Sequence, residues 1–360
     1  MSVPTHLRYA IKKLVARIDL SPAEISQAFD AILRGSVPET AIAAFLVALA
    51  MKGETPDELR SILLSLRNHS TRITPQVSGP LIDTCGTGGD SIKSFNISTA
   101  AAIVASAASA NVAKHGNRSM SGVCGSADFF EYIGLDLNAS PIKVQSCIER
   151  VGIGFLFAPL FHPSMKNVAS VRKTIGISTV FNKVGPLSNP CTNISGQIIG
   201  VYDLPLLQVF SEVCKGYVSQ AIIVYAHDGF DELSNTCQND IHWISSDKHT
   251  TIRRICLHPS AVGIDLAKRE QLVVNSKEDS VRFTLQTIYG KASREKQDIV
   301  ILNSAAALVV AKIASNFKEG VEIARETIRS GKAYDKLSQM VKYCGDLEKL
   351  KEIEKKFSLI

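Results

Sequence analysis

The chain has 360 residues, 45% of them hydrophobic and 21% charged, with a formal net charge of +6. That is apolar material enough for one large core or two ordinary ones, and the surplus of cations suits anionic substrates while being too diffuse to argue for nucleic acid. No run approaches the roughly 18 unbroken apolar residues of a membrane span. The 8 cysteines include no C-x-x-C pair of the kind that marks zinc or a disulfide framework, and Arg8, Lys12, Lys13 and Arg17 interrupt any signal-peptide core, so a cytoplasmic chain with reduced thiols is expected.

Residues 1–72 read as a small all-helical domain. Leu7, Ala10, Ile11, Leu14 and Ile18 follow helical spacing, and Ser21-Pro22-Ala23-Glu24 and Thr55-Pro56-Asp57-Glu58 are capping boxes with proline at the first helical position. Residues 42–51 are apolar nearly all round, which marks that helix for burial inside the domain or against a second subunit. Pro75, Gly79 and Pro80 make residues 71–80 a linker.

From Leu81 onward short apolar runs alternate with helix-like segments. This predicts a larger α/β domain over 81–360 with a central, mostly parallel sheet flanked by helices. Strands are expected at residues 81–83, 111–113, 200–202, 221–225 and 299–302. Three polar loops fall between these runs within about fifty residues. Gly86-Thr87-Gly88-Gly89-Asp90 follows the first strand, and its glycines permit either a tight turn or a nest of bare N–H groups for an anion. Asn96-Ile97-Ser98-Thr99 precedes the alanine-rich run 100–110, as a helix cap or as a phosphate-binding helix N-terminus. Lys114-His115-Gly116-Asn117-Arg118 brings two cations ahead of a helix over 127–132. Each loop alone is ordinary punctuation; the three together favour a large phosphorylated ligand. None contains a P-loop or a dinucleotide fingerprint.

Further on, Met165, Val168 and Arg172 are spaced i, i+3, i+7 on a helix running to Ile175, so Arg172 lies on the apolar stripe. Spacing leaves its partner open between a buried carboxylate and an anionic ligand. Asp231 and Glu232, after the strand at 221–225, are either a solvated loop or holders of Mg²⁺, which takes one or two carboxylates plus phosphate oxygens and water. Residues 317–342 read as one amphipathic helix and 349–356 as a charged helical end.

Gly-Thr-Gly-Gly-Asp at 86–90, Asn-Ile-Ser-Thr at 96–99 and the block 114–128, KHGNRSMSGVCGSAD, resemble in order and spacing the anthranilate phosphoribosyltransferase family of tryptophan biosynthesis. The resemblance extends from about Leu7 to the C-terminus. It implies that Gly86, Gly89, Asp90, Ser94, Asn96, Ile97, Ser98, Thr99, Lys114, His115, Gly116, Asn117, Arg118, Ser119, Met120, Ser121, Gly122 and Ser126 contact phosphoribosyl pyrophosphate. It likewise implies that Gly86, Asn117 and Arg172 bind anthranilate, and that Ser98, Asp231 and Glu232 hold Mg²⁺. His115 and His162 are read as lining the pocket. No residue is assigned as general base, nor any cysteine as nucleophile, so catalysis is expected from electrostatics and positioning. The resemblance also implies a homodimer joined through the helical domain, and a helical segment within about 163–185 that completes that domain. Three positions depart from the family: Ser94 keeps the hydroxyl of a usual threonine, Gly122 lacks that of a usual serine, and Ser178 stands where arginine is common. Two other readings remain: a pyrimidine-nucleoside phosphorylase, which would not need Asp231 and Glu232 as metal ligands, and a non-catalytic nucleic-acid-binding homologue.

Overall fold

Both expected capping boxes form in the computed structural model, which describes residues 2–88, 92–119, 123–246 and 249–360. Ser21 Oγ accepts the Glu24 N–H at 3.4 Å while Glu24 accepts the Ser21 N–H at 2.8 Å, opening the helix Pro22–Leu33. Thr55 and Glu58 do the same for Pro56–Asn68. Glu58 is buried, and also accepts the Leu20 N–H and pairs with Lys52 at 2.8 Å.

With Thr5–Val15 and Glu39–Lys52 these helices belong to a unit formed by Met1–Arg72 and Ala158–Pro190. The later segment docks because Asn167 Nδ2 donates to the Leu33 carbonyl at 2.7 Å and the Phe181 ring packs 5.5 Å from that of Phe29. Glu39–Lys52 is covered by Thr5–Val15, Lys166–Ile175 and Val180–Val184 of its own unit, so its all-round apolarity is satisfied mostly there. Ile18 departs from the expected stripe: the helix stops at Val15, Arg17 takes φ 58°, and Ile18 is exposed.

The second unit comprises Ile73–Phe157 and Cys191–Ile360. Its strands are β1 (Leu81–Gly86), β2 (Asn111–Gly116), β3 (Ile153–Phe157), β4 (Gly196–Val201), β5 (Gln220–Ala226), β6 (Asn239–Ser245) and β7 (Thr251–Leu257). They form one seven-stranded sheet in the order β3-β2-β1-β4-β5-β6-β7. The sheet is parallel from β3 to β5 and antiparallel at β5–β6 and β6–β7. From β1 the chain progresses to one side through β2 and β3, then returns beside β1 as β4. This makes the gap between the carboxyl ends of β1 and β4 a topological switch point, where α/β sheets receive ligands.

Two expected elements are corrected. Residues 299–302 lie inside the helix Arg294–Val310, not in a strand; every residue from Asp298 to Val310 is buried, and a helix buried all round loses the 3.6-residue signal that separates it from a buried strand. The helix expected over 317–342 is two, Phe317–Arg329 and Lys332–Cys344, divided where Gly331 adopts φ 78°. β3, β6 and β7 had no sequence forecast, and the strand expected at 200–202 starts earlier, at Gly196, where glycine and Gln197 interrupt the apolar run. Among the described residues no helix is long and apolar enough to cross a membrane.

Candidate active site

At the switch point a polar network ties together groups from four segments. Lys114, near the end of β2, is 2% exposed, and its Nζ donates to the Thr84 carbonyl of β1 and to Ser98 Oγ at 3.1 Å. Thr84 Oγ1 donates to the Ser98 carbonyl at 3.0 Å. The Ser98 N–H, in the first turn of the helix Ile97–Ala107, donates to Glu232 Oε1 at 3.2 Å, and the Gly88 N–H donates to Asp231 Oδ2. The two adjacent carboxylates thus each hold one of the two glycine- and hydroxyl-bearing loops. Burial pushes the Asp231 carboxyl above its ordinary range, with the Gly88 N–H and Lys114 opposing.

Glycine is required at two points of this network. A Cβ on Gly86 would collide with the Asp231 carboxylate, and one on Gly200 would collide with the Asp231 main-chain carbonyl. The ends of β1 and β4 are therefore bare so that Asp231 can sit between them. Asn303, from the buried helix Arg294–Val310, fixes the next residue from both sides, accepting the Leu233 N–H at 3.0 Å and donating to the Leu233 carbonyl at 2.8 Å. Thr84, Cys85, Ser98, Gly200, Glu232 and Asn303 line a small cavity here.

The side chains of Ser98, Asp231 and Glu232 offer only oxygen, with Ser98 tied to Glu232 through its N–H and Asp231 admitted by the two bare glycines. That fits a hard divalent cation such as Mg²⁺. Mg²⁺ beside phosphates takes one or two carboxylates and fills its other positions with ligand oxygens and water, which the Asp231–Glu232 pair would leave open.

The remaining expected residues divide. Asn96 precedes the helix but does not cap it: its Nδ2 donates to the Cys124 carbonyl at 3.0 Å and its Oδ1 accepts from Ser280 Oγ at 2.9 Å. Ile97 and Thr99 are buried in the first turn, and Ser94 forms an isolated bridge to Val273. His115 is buried and its N–H donates to Asp83 Oδ1 at 3.1 Å. Gly116 approaches Ser126 so closely that a Cβ would meet the hydroxyl, while Ser126 Oγ donates to the Asn117 carbonyl at 3.4 Å. Arg118 is committed elsewhere: Glu131 takes its guanidinium at 2.6 and 2.7 Å. The Ser119 N–H donates to Asp128 at 3.1 Å. Gly89, Asp90, Met120, Ser121 and Gly122 lie outside the described residues. Burial pushes the Cys85 thiol up to about 12 and that of Cys124 to about 11, so neither supplies thiolate near neutrality.

Arg172 belongs to the helical unit. Its guanidinium lies 5.3 Å over the Phe181 ring and Nη2 reaches Asn182 Oδ1 at 3.5 Å. Among the described residues it meets no carboxylate, and burial pulls its pKa below the ordinary value. His162, in the same unit, is buried and pushed down to about 4. Ser178 is exposed.

Sequence reasoning missed Thr84, Gly200 and Asn303. Gly200 had a usable signal, since a glycine inside an apolar strand marks a close backbone approach. Asn303 was hidden by the misreading of its helix.

The chain resembles known proteins over most of its length. The chain matches the glycosyl transferase family helical bundle domain over residues 8–70 and the glycosyl transferase family a/b domain over residues 78–334. It is 42% identical to an anthranilate phosphoribosyltransferase of Acetivibrio thermocellus, over 94% of this chain and 96% of that protein. It is 40% identical to that of Nitrosopumilus maritimus, over 95% and 98%. Among solved structures, the anthranilate phosphoribosyltransferase of Thermus thermophilus superposes with a TM-score of 0.86 at 35% identity, covering 93% of this chain and 99% of that one. The Saccharomyces cerevisiae enzyme in complex with PRPP and Mg gives 0.84 at 26% identity, covering 94% and 97%.

Proposed function

Because this chain belongs to the anthranilate phosphoribosyltransferase family, we propose that it transfers the phosphoribosyl group of 5-phosphoribosyl 1-pyrophosphate to the amine of anthranilate, releasing pyrophosphate, in tryptophan biosynthesis. The observation that carries this reading is the network in which Lys114, Ser98, Asp231 and Glu232 join the strand ends to both ligand loops.

In the reaction the bond from ribose C1 to the pyrophosphate oxygen breaks and a bond to the anthranilate nitrogen forms, the amine proton passing to solvent. Negative charge grows on the pyrophosphate while the sugar becomes cation-like. Lys114, held by the Thr84 carbonyl and Ser98 Oγ, is fixed before the reaction and favours that charge without reorganising. Mg²⁺, held by Asp231, Glu232 and the Ser98 hydroxyl, would supply neutralising charge to the leaving group. Since Lys114 Nζ already bonds Ser98 Oγ, it also holds the hydroxyl in place. Arg172 binds the anthranilate carboxylate through its guanidinium fork and Asn117 contacts the ring, which restrains an amine of modest nucleophilicity. Gly86 serves both substrates, and the family resemblance assigns the remaining residues of the three loops to phosphoribosyl pyrophosphate.

The proposed setting is the cytoplasm, and the proposed assembly a homodimer through the helical unit, whose exposed Tyr9, Val15, Met51 and Leu64 favour a covered face; light scattering at the monomer mass would refute the dimer. The relatives favour the transferase over the phosphorylase and nucleic-acid readings. The deciding experiment follows anthranilate fluorescence with phosphoribosyl pyrophosphate and Mg²⁺, with and without EDTA. Metal-dependent decay is expected; no decay from folded protein, or decay that EDTA leaves untouched, overturns the proposal.

A further inference from the structure

Arg172 sits where an arginine ordinarily demands a counter-ion, yet its neighbours within the helical unit are a ring and an amide. We propose that Phe181 and Asn182 are positioning residues that hold Arg172 in one orientation while leaving its charge uncommitted for the acceptor's carboxylate; the inference rests on the assignment of Arg172 to anthranilate.

Three features of the turn after the helix Lys166–Ile175 support this. First, the Phe181 ring lies under the guanidinium at 5.3 Å and is itself fixed by packing 5.5 Å from Phe29. A stacked ring restrains the plane of a guanidinium while leaving its edge N–H groups for a ligand. Second, Asn182 Oδ1 accepts both the Thr179 N–H at 3.1 Å and Arg172 Nη2 at 3.5 Å. Asn182 occupies the third position of the helix Val180–Val184, so its oxygen is placed by the start of that helix and not by the arginine. Third, the carboxylate attached to this turn, Glu54, is taken by Lys183. Desolvation is the cause of the Arg172 shift, with no carboxylate opposing it.

The neutrality of Asn182 is therefore the functional choice. An aspartate there would accept the same Thr179 N–H, keep the same shape, and pair with Arg172 within the chain, competing with the acceptor.

The test is steady-state kinetics on the Mg²⁺-loaded full chain, varying anthranilate and then phosphoribosyl pyrophosphate, for Arg172→Ala, Asn182→Asp and Phe181→Met, each checked for folding by circular dichroism. Asn182→Asp is expected to raise the anthranilate KM about tenfold or more, with kcat and the phosphoribosyl pyrophosphate KM close to those of the parent. Phe181→Met, which stays apolar but removes the ring face, is expected to raise the anthranilate KM roughly three- to fivefold. An unchanged anthranilate KM in Asn182→Asp, while Arg172→Ala raises it, overturns the inference and leaves the assignment of Arg172 standing. An unchanged KM in Arg172→Ala overturns that assignment itself. Loss of kcat and both KM values together in Asn182→Asp, with a lowered Tm, marks a purely structural residue and also overturns the inference. Should Asn182→Asp not fold, Phe181→Met decides by the same KM-against-kcat split.

Discussion

Gly200→Ala should disable the carboxylate pair without altering a single polar group. A Cβ at Gly200 falls within the van der Waals envelope of the Asp231 carbonyl and 2.9 Å from the Glu232 nitrogen. Ordinary contact begins near 3.4 Å, so the Asp231 main chain must retreat by more than about 1 Å. β4 cannot yield in its place, being paired with β1 and β5 on its two sides and buried throughout. Overpacking of this kind costs about 1–3 kcal/mol, or roughly 2–10 °C in Tm for a unit of this size. The kinetic effect should be larger, because an ångström of misplacement in a site that works by positioning costs about a hundredfold. Initial rates measured across a Mg²⁺ titration should show kcat/KM reduced about a hundredfold and half-saturation shifted to higher Mg²⁺, with circular dichroism unchanged. A Gly200→Ala protein with parental rate, Mg²⁺ dependence and Tm would refute both the close approach of Asp231 and its role.

Other outcomes follow from the same network and from the helical unit. Lys114→Met should lower kcat/KM for phosphoribosyl pyrophosphate by about a hundredfold or more and lower stability by about 1–3 kcal/mol, since the Thr84 carbonyl loses its donor and buried Asp231 the cation that opposes its desolvation; retained activity would remove Lys114 from the mechanism. His162 is held neutral by burial, with its pKa depressed from 6.5 to about 4. The unfolded chain therefore binds its proton first, so the stabilisation is complete above pH 6.5 and is lost as pH falls towards 4. Denaturant unfolding should show about 2 kcal/mol less stability at pH 5 than at pH 7.5 from this group, and His162→Gln should flatten that difference; an unaltered pH profile in the variant would contradict it.

The grouping of the candidate site was legible in the sequence because its donors are carried by contiguous loops. Glycines after a strand, a hydroxyl-rich helix start and a lysine at a strand end are local patterns, and the fold places Gly86, Ser98 and Lys114 at one switch point, as their spacing anticipated. Capping boxes at Ser21 and Thr55 were legible for the same reason, since every group in them lies within four residues. Inward placement of Arg172 followed from helical periodicity, although periodicity could not tell whether a carboxylate waited for it.

Tertiary structure decided everything that depends on residues far apart in the chain. Residues 299–302 have strand-like composition but lie in a helix, because a fully buried segment carries no polar face by which its period can be read. Arg118, a free cation by sequence, is held by Glu131 thirteen positions later, a pairing that spacing does not reveal. Gly200 had to be glycine because Asp231 passes against it, and Asn303 had to be polar because it grips Leu233. Local chemistry is written in order along the chain; which neighbour claims each donor, and which is left for a ligand, is settled only when packing brings distant segments into contact.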